Sequence, residues 1–195
     1  VLMRAALVAL SAVMVRSVVA MPDVAFSLKT CREGGKDALV VSADDMVRFE
    51  SISNRLVWTG HPVLGEGFTV VAEAETNAVG TSWTFSYTGN TSDRFVEEIA
   101  FPQWTVRRSE RARTLLPIQS GLVRRPDWAK LSSGDVAGWA GPRFMGFHFA
   151  AVLEQEGDSR YIDQRGEARF HATRFAVRQG STPGTCVLES IYEMP

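Results

Sequence analysis

Cysteine is scarce in this 195-residue chain: there are two, Cys31 and Cys186. No Cys-x-x-Cys pair occurs, which excludes a zinc ribbon or a dithiol redox motif. An excess of one charge is missing too. The net charge is -1, acids offset the many arginines, and no basic block marks a nucleic-acid surface. A Gly-x-Ser-x-Gly elbow, a phosphate-binding glycine loop and a His-Glu-x-x-His pair are all absent. The reactions those motifs serve therefore have no support here. Of the three histidines, His61, His148 and His171, none stands at metal-ligand spacing from another. No metal and no cofactor is expected. Internal repeats and low-complexity tracts are lacking as well.

What is present starts with export. Met3-Arg4, the apolar run Ala5 to Val15 and the small-residue end Val18-Val19-Ala20 form the pattern of a secretory signal peptide over residues 1–20. Arg16 cuts the apolar run short of the about 20 residues a membrane span needs. No stable span is expected after cleavage, whereas an uncleaved signal would anchor the chain. The expected localisation is secreted or cell surface. Residues 21–195 are expected to form one domain, long enough to bury roughly 70% of the surface its unfolded chain exposes.

Export allows Cys31 and Cys186 to be read as a candidate disulfide, closing a loop worth about 4–5 kcal/mol in chain-entropy terms. The alternative is two buried thiols. Asn90-Thr91-Ser92 is a glycosylation sequon, with Asn90 as the candidate acceptor on a predicted turn.

The segment Ser82 to Pro102 sets the fold class. Trp83, Phe85 and Tyr87 alternate with Ser82, Thr84, Ser86 and Thr88, the period-two mark of a strand with one face in a core. Gly89 to Asp93 supplies a turn. Phe95 to Phe101 reads as the partner strand, with Pro102 as its stop. Further strands are expected at Ala38–Ser42, Val47–Ser53, Arg55–Thr59, Gly67–Glu73, Phe144–Leu153 and Cys186–Tyr192. Ser159–Gln164 and Ala168–Arg178 read as a hairpin around Gly166. This rhythm predicts an all-β protein, a large antiparallel β-sandwich. Residues 103–142, broken by glycine and proline, read as a long excursion of the kind that carries function or covers a surface.

Chemistry-bearing residues are few. Asp44-Asp45, Glu97-Glu98, Asp158 and Asp163 are carboxylates by type only. Glu97 and Glu98, as strand neighbours, are expected to point to opposite faces. Arg107, Arg108, Arg111 and Arg113 form a cluster suited to an anion or to internal ion pairs. Trp104, Trp128 and Trp139 lie in or beside the excursion. Flat sugar faces stack on indole rings, so these three are the candidate carbohydrate contacts, with core packing as the alternative.

Four segments also resemble elements of large glycoside-hydrolase-like proteins, in the same order. WTFSYTGNTSDRFVEEIAFP (Trp83 to Pro102) is similar to their strand–turn–strand ending in Phe-Pro. LLPIQSGLVRRP (Leu115 to Pro126) resembles their Leu-Pro element. Gly141 to Phe149 resembles their Gly…Met-x-Phe strand, and SRYIDQRGEARFHATRF (Ser159 to Phe175) a hairpin ending in Arg-Phe. The resemblance implies an N-terminal supersandwich, similar to galactose-mutarotase-like domains, that packs on a downstream catalytic barrel of the same chain. That barrel holds the catalytic carboxylates, so the resemblance assigns no catalytic residue here. The expected function is a non-catalytic β-sandwich helping to shape a carbohydrate site. A stand-alone carbohydrate-binding module and a cell-surface interaction domain without a sugar ligand remain alternatives.

Overall fold

A computed structural model describes residues 24–32, 37–78, 80–89, 93–116, 122–124, 136–140, 149–155, 159–163 and 173–194. The predicted signal peptide, the Asn90 sequon, Trp128, Asp158, His148 and His171 lie outside the described residues. Fourteen strands are described: β1 (Val24–Arg32), β2 (Leu39–Ser42), β3 (Arg48–Ile52), β4 (Arg55–His61), β5 (Gly65–Thr76), β6 (Thr81–Thr88), β7 (Arg94–Arg107), β8 (Arg113–Leu116), β9 (Leu122–Arg124), β10 (Val136–Ala140), β11 (Phe149–Leu153), β12 (Arg160–Asp163), β13 (Thr173–Gln179) and β14 (Thr185–Glu193). One 3-10 turn, Ala43–Asp45, interrupts them. The all-β class expected from the alternating pattern is thus what forms, and every described strand pairing is antiparallel.

The strands make three sheets: six strands in the order β10-β13-β14-β7-β1-β2, and two of four, β3-β4-β5-β6 and β12-β11-β8-β9. Both small sheets cover one face of the large one. Val24 and Leu188 both stand opposite Trp104 in the register, so the three side chains share a face. Val24 belongs to the core beneath β3–β6, and Leu188 to the core beneath β8, β11 and β12. Trp104 packs against both cores.

The first core has Phe26 fully buried between Trp58 (ring centroids 5.1 Å) and Phe85 (5.8 Å), with Leu28, Phe68, Val70 and Ala72 around it. Each such aromatic pair adds about 0.5–1.5 kcal/mol beyond its buried area. The second joins Val106, Phe175, Val177 and Leu188 of the large sheet to Leu116, Val152 and Ile162 of the small one.

Strand β7 departs from the sequence reading. Pro102 does not stop it; the strand runs on to Arg107 through the centre of the large sheet. Proline is tolerated because the strand bulges there: Ser27 and Ile191 stand opposite Ala100, while Ala25 and Glu189 stand opposite Gln103, so β7 carries one extra residue against both neighbours. The Phe101–Pro102 peptide is cis.

A second bulge lies between Glu98, opposite Lys29, and Val96, opposite Thr30. Strict alternation fails at both points. Phe101 and Trp104, three residues apart, share the inner face, and Glu97 and Glu98 share the outer one.

Other expectations are corrected in the same way. β6 and β7 belong to different, facing sheets, since β6 pairs with β5 and β7 with β1 and β14. β12 and β13 are not a hairpin either, because β12 pairs with β11 and β13 with β10 and β14. β1, absent from the strands expected above, is an interior strand whose Val24, Phe26 and Leu28 alternate inward.

Candidate functional site

The two small sheets lie side by side, and a cleft of about 410 Å³ opens where they meet above the large sheet. Its size falls within the about 300–1,000 Å³ of ligand pockets. β6 supplies Ser82 and Trp83, and the turn before it Asn77 and Gly80; β7 supplies Phe101, Pro102 and Trp104; β14 supplies Tyr192; and β12, with the residue before it, supplies Ser159, Arg160, Tyr161 and Ile162.

Local sequence explains the placement. The bulge at Pro102 turns Phe101 and Trp104 to the same side, which no regular strand allows at that spacing. Asn77 closes the β5–β6 turn: its N–H donates to the Gly80 carbonyl (2.9 Å) and its Oδ1 accepts from the Gly80 N–H (3.2 Å). That closure holds Trp83 against Phe101, edge to face at 6.0 Å. From the opposite wall the Arg160 guanidinium lies over the Trp104 ring, 5.8 Å from its centroid, in a cation–π contact. Tyr161 is 52% exposed, a large ring kept at the surface.

The arrangement offers flat apolar faces bounded by hydroxyl, amide and guanidinium groups. Burial pushes the Tyr192 phenol above its ordinary value, which keeps it protonated as a hydrogen-bonding group. Among the described lining residues there is no carboxylate and no cysteine.

Of the tryptophans singled out from sequence, Trp104 reaches this cleft. The backbone of Trp139 lies on edge strand β10, three strands and about 14 Å across the sheet from β7. Trp83, which the alternating pattern places on a core face, lines the cleft as well as packing on the first core. A period-two pattern reports which face a ring is on but not that a second sheet ends beside it.

The carboxylates form a separate group on the outer face of the large sheet. Glu97 accepts from Lys29 Nζ (2.8 Å) and from the Cys31 thiol (3.0 Å), and Glu98 pairs with Arg174. The two hydrogen bonds hold the Glu97 carboxyl below its ordinary range; that same bond to Glu97 raises the Cys31 thiol and keeps it protonated. Beside them Glu189 accepts from Gln103 Nε2 (2.7 Å) and pairs with Arg178 (3.4 Å). Each of these carboxylates has its own base or donor, and the long side chains tile over Ala100, Ala176 and Ile191.

The candidate disulfide is not formed; Cys31 and Cys186 are free, buried thiols. Cys31 stands opposite Phe95 and Cys186 opposite Val106, eleven residues apart along β7. At strand rise that is about 35 Å, far beyond the about 4–7 Å between bridged Cα atoms.

The arginine cluster divides. The Arg108 side chain is almost wholly buried and pairs with Glu110 (3.2 Å), whereas Arg111 and Arg113 border a polar hollow with Glu154. The Glu154 carboxylate is engaged by the Ser109 N–H (2.8 Å) and hydroxyl (2.7 Å).

His61 and Asp45 are structural. His61 Nδ1 accepts the N–H groups of Val63 (3.1 Å) and Leu64 (3.2 Å), closing the β4–β5 turn. Asp45 accepts the N–H (2.8 Å) and hydroxyl (2.6 Å) of Ser42, which hold its carboxyl below the ordinary range.

Among the described residues, no group of His, Cys, Asp and Glu side chains is arranged to hold a metal ion, and no helix is long and apolar enough to cross a membrane. Compared with protein-family models, curated proteins and solved structures, the chain matches none.

Proposed function

We propose that this chain is a non-catalytic, carbohydrate-binding β-sandwich that takes saccharide rings into the cleft between its three sheets. The observation that carries the proposal is the convergence of Trp83, Phe101, Trp104, Tyr161 and Tyr192 with Asn77, Ser82, Ser159 and Arg160 around one cavity. Sugar rings present apolar C–H faces and a girdle of hydroxyls. Flat aromatic walls with hydroxyl, amide and guanidinium groups at their edges match both. The sequence resemblance to the N-terminal sandwich of glycoside-hydrolase-like proteins supports the same ligand class, and on that reading the cleft forms part of a carbohydrate site shared with a downstream barrel.

The test is a titration of the purified chain with an oligosaccharide panel, followed by tryptophan fluorescence and calorimetry. Tyr161→Ala removes an exposed ring at little structural cost and is expected to weaken binding about tenfold, near the 1.4 kcal/mol that one ring contact supplies. Trp83→Ala is expected to weaken it further. Absence of binding across the panel, or full affinity in both variants, refutes the proposal.

A further inference from the structure

A second cavity shares none of its described lining residues with the cleft. It is a hollow of about 400 Å³ bordered by Arg111, Arg113, Leu153, Glu154 and Gln155. The local chain explains why two arginines stand there together. Ala112 is fully buried, so the residues on either side of it turn outward, and both are exposed. The Ala112 N–H donates to the Ser109 carbonyl (3.2 Å), closing a tight turn that contains Arg111, and Arg113 then enters β8 opposite Leu153 of β11. The Glu154 carboxylate accepts the Ser109 N–H (2.8 Å) and hydroxyl (2.7 Å), which pins this turn to the end of β11. The backbone beneath both arginines is therefore fixed from two sides.

Their charges are not offset in the same way. Glu110, the acid between them and Arg108, pairs with Arg108, and both Glu154 oxygens are held by Ser109. Among the described residues neither Arg111 nor Arg113 has a carboxylate or other acceptor within hydrogen-bond reach, and the Gln155 amide is also without a partner. Two residues of chain span at most about 7 Å. That is shorter than the screening length of about 8–10 Å at ordinary salt, so the two cations repel and an anion between them relieves the repulsion. A guanidinium is a planar fork of five donors that meets an oxyanion two oxygens at a time. A carboxylate has two oxygens and satisfies one such fork; a phosphate ester presents three and can meet both.

We infer that this hollow is a second ligand site, which takes a tetrahedral oxyanion, the phosphate or sulfate group of an ester, between Arg111 and Arg113, with the Gln155 amide as a further donor. Glu154 positions the turn that carries Arg111. The inference does not depend on the carbohydrate reading of the cleft.

The experiment is a calorimetric titration of the purified chain at low salt with inorganic phosphate, inorganic sulfate and acetate. Phosphate and sulfate are expected to bind with a Kd of about 1 mM or below, and acetate at least about tenfold more weakly. Affinity is expected to fall as sodium chloride rises, because both arginines are exposed. Arg111→Gln and Arg113→Gln are each expected to weaken phosphate and sulfate binding about tenfold, and the double variant to abolish it. Arg55→Gln removes the same charge at the exposed Arg55–Glu73 pair of β4 and β5 and is expected to leave the affinity unchanged. Circular dichroism of the variants checks that the fold is retained. A tighter fit to phosphate assigns the site to a phosphate ester, and a tighter fit to sulfate to a sulfate ester.

No saturable binding of phosphate or sulfate overturns the inference. Full affinity in the double variant also overturns it, by placing the anion elsewhere, and an equal loss in Arg55→Gln reduces the binding to net charge. Acetate that binds as tightly as phosphate and sulfate overturns the tetrahedral class.

Discussion

Glu189 is the carboxylate of the outer face whose environment makes the sharpest prediction. Its side chain is 8% exposed although it lies on the face of the large sheet opposite the two small sheets. It accepts from Gln103 Nε2 at 2.7 Å and faces Arg178 Nε at 3.4 Å. Gln103 Nε2 also donates to Ser27 Oγ at 3.1 Å, so the amide spans β14, β7 and β1.

Glu189→Leu removes the carboxylate acceptor and strands one donor of a buried amide, at an expected cost of about 2 kcal/mol. Gln103→Leu leaves a buried carboxylate with Arg178 as its remaining partner and costs about 2–3 kcal/mol. The double variant replaces the pair by apolar groups next to Ala100, Ala176 and Ile191, while Arg178, 39% exposed, turns to water. Its cost is expected to fall below the sum of the singles by about 1–2 kcal/mol.

Urea unfolding followed by circular dichroism measures all three. With a slope of about 2 kcal/mol/M, each single variant moves the midpoint down by about 1 M. A single-variant shift under about 0.3 M would mean that the group is solvated, and strictly additive costs would mean that the pair is uncoupled; either outcome refutes the reasoning.

Two further predictions follow from groups the fold has buried. Both thiols are expected to titrate with a thiol reagent only after denaturation, without prior reduction; burial pushes Cys186 up to about 11 and a hydrogen bond to Glu97 raises Cys31. A mobility change on reduction under non-reducing electrophoresis would contradict the register of β7. Burial lowers His61 below its ordinary 6.5, so the unfolded chain binds more protons than the folded one below that pH. The His61 contribution to stability is therefore complete above about pH 6.5 and is lost as pH falls toward the folded value. The urea midpoint is expected to drop less between about pH 7.5 and 5.5 in His61→Gln than in the unaltered chain, and an identical drop would remove His61 from the balance.

Much of this molecule was legible in one dimension. Alternation of aromatic and hydroxyl residues in Ser82–Thr88 identifies a strand because side-chain direction in a strand depends only on residue parity.

Tertiary structure decided the rest. Whether Pro102 ends a strand or sits in a bulge depends on what β1 and β14 place opposite it, and those partners lie about 75–90 residues away in sequence. The bulge at Pro102 then determines that Phe101 and Trp104 share the cleft side, and the second bulge, between Glu98 and Val96, that Glu97 and Glu98 share the opposite face, reversing what parity alone dictates. The distance between Cys31 and Cys186 is likewise a property of the long shared neighbour β7, invisible to a count of cysteines. The cleft exists because two four-stranded sheets end beside each other over a third. Local pattern specifies which residues face inward, but only sheet-to-sheet packing specifies what they meet there.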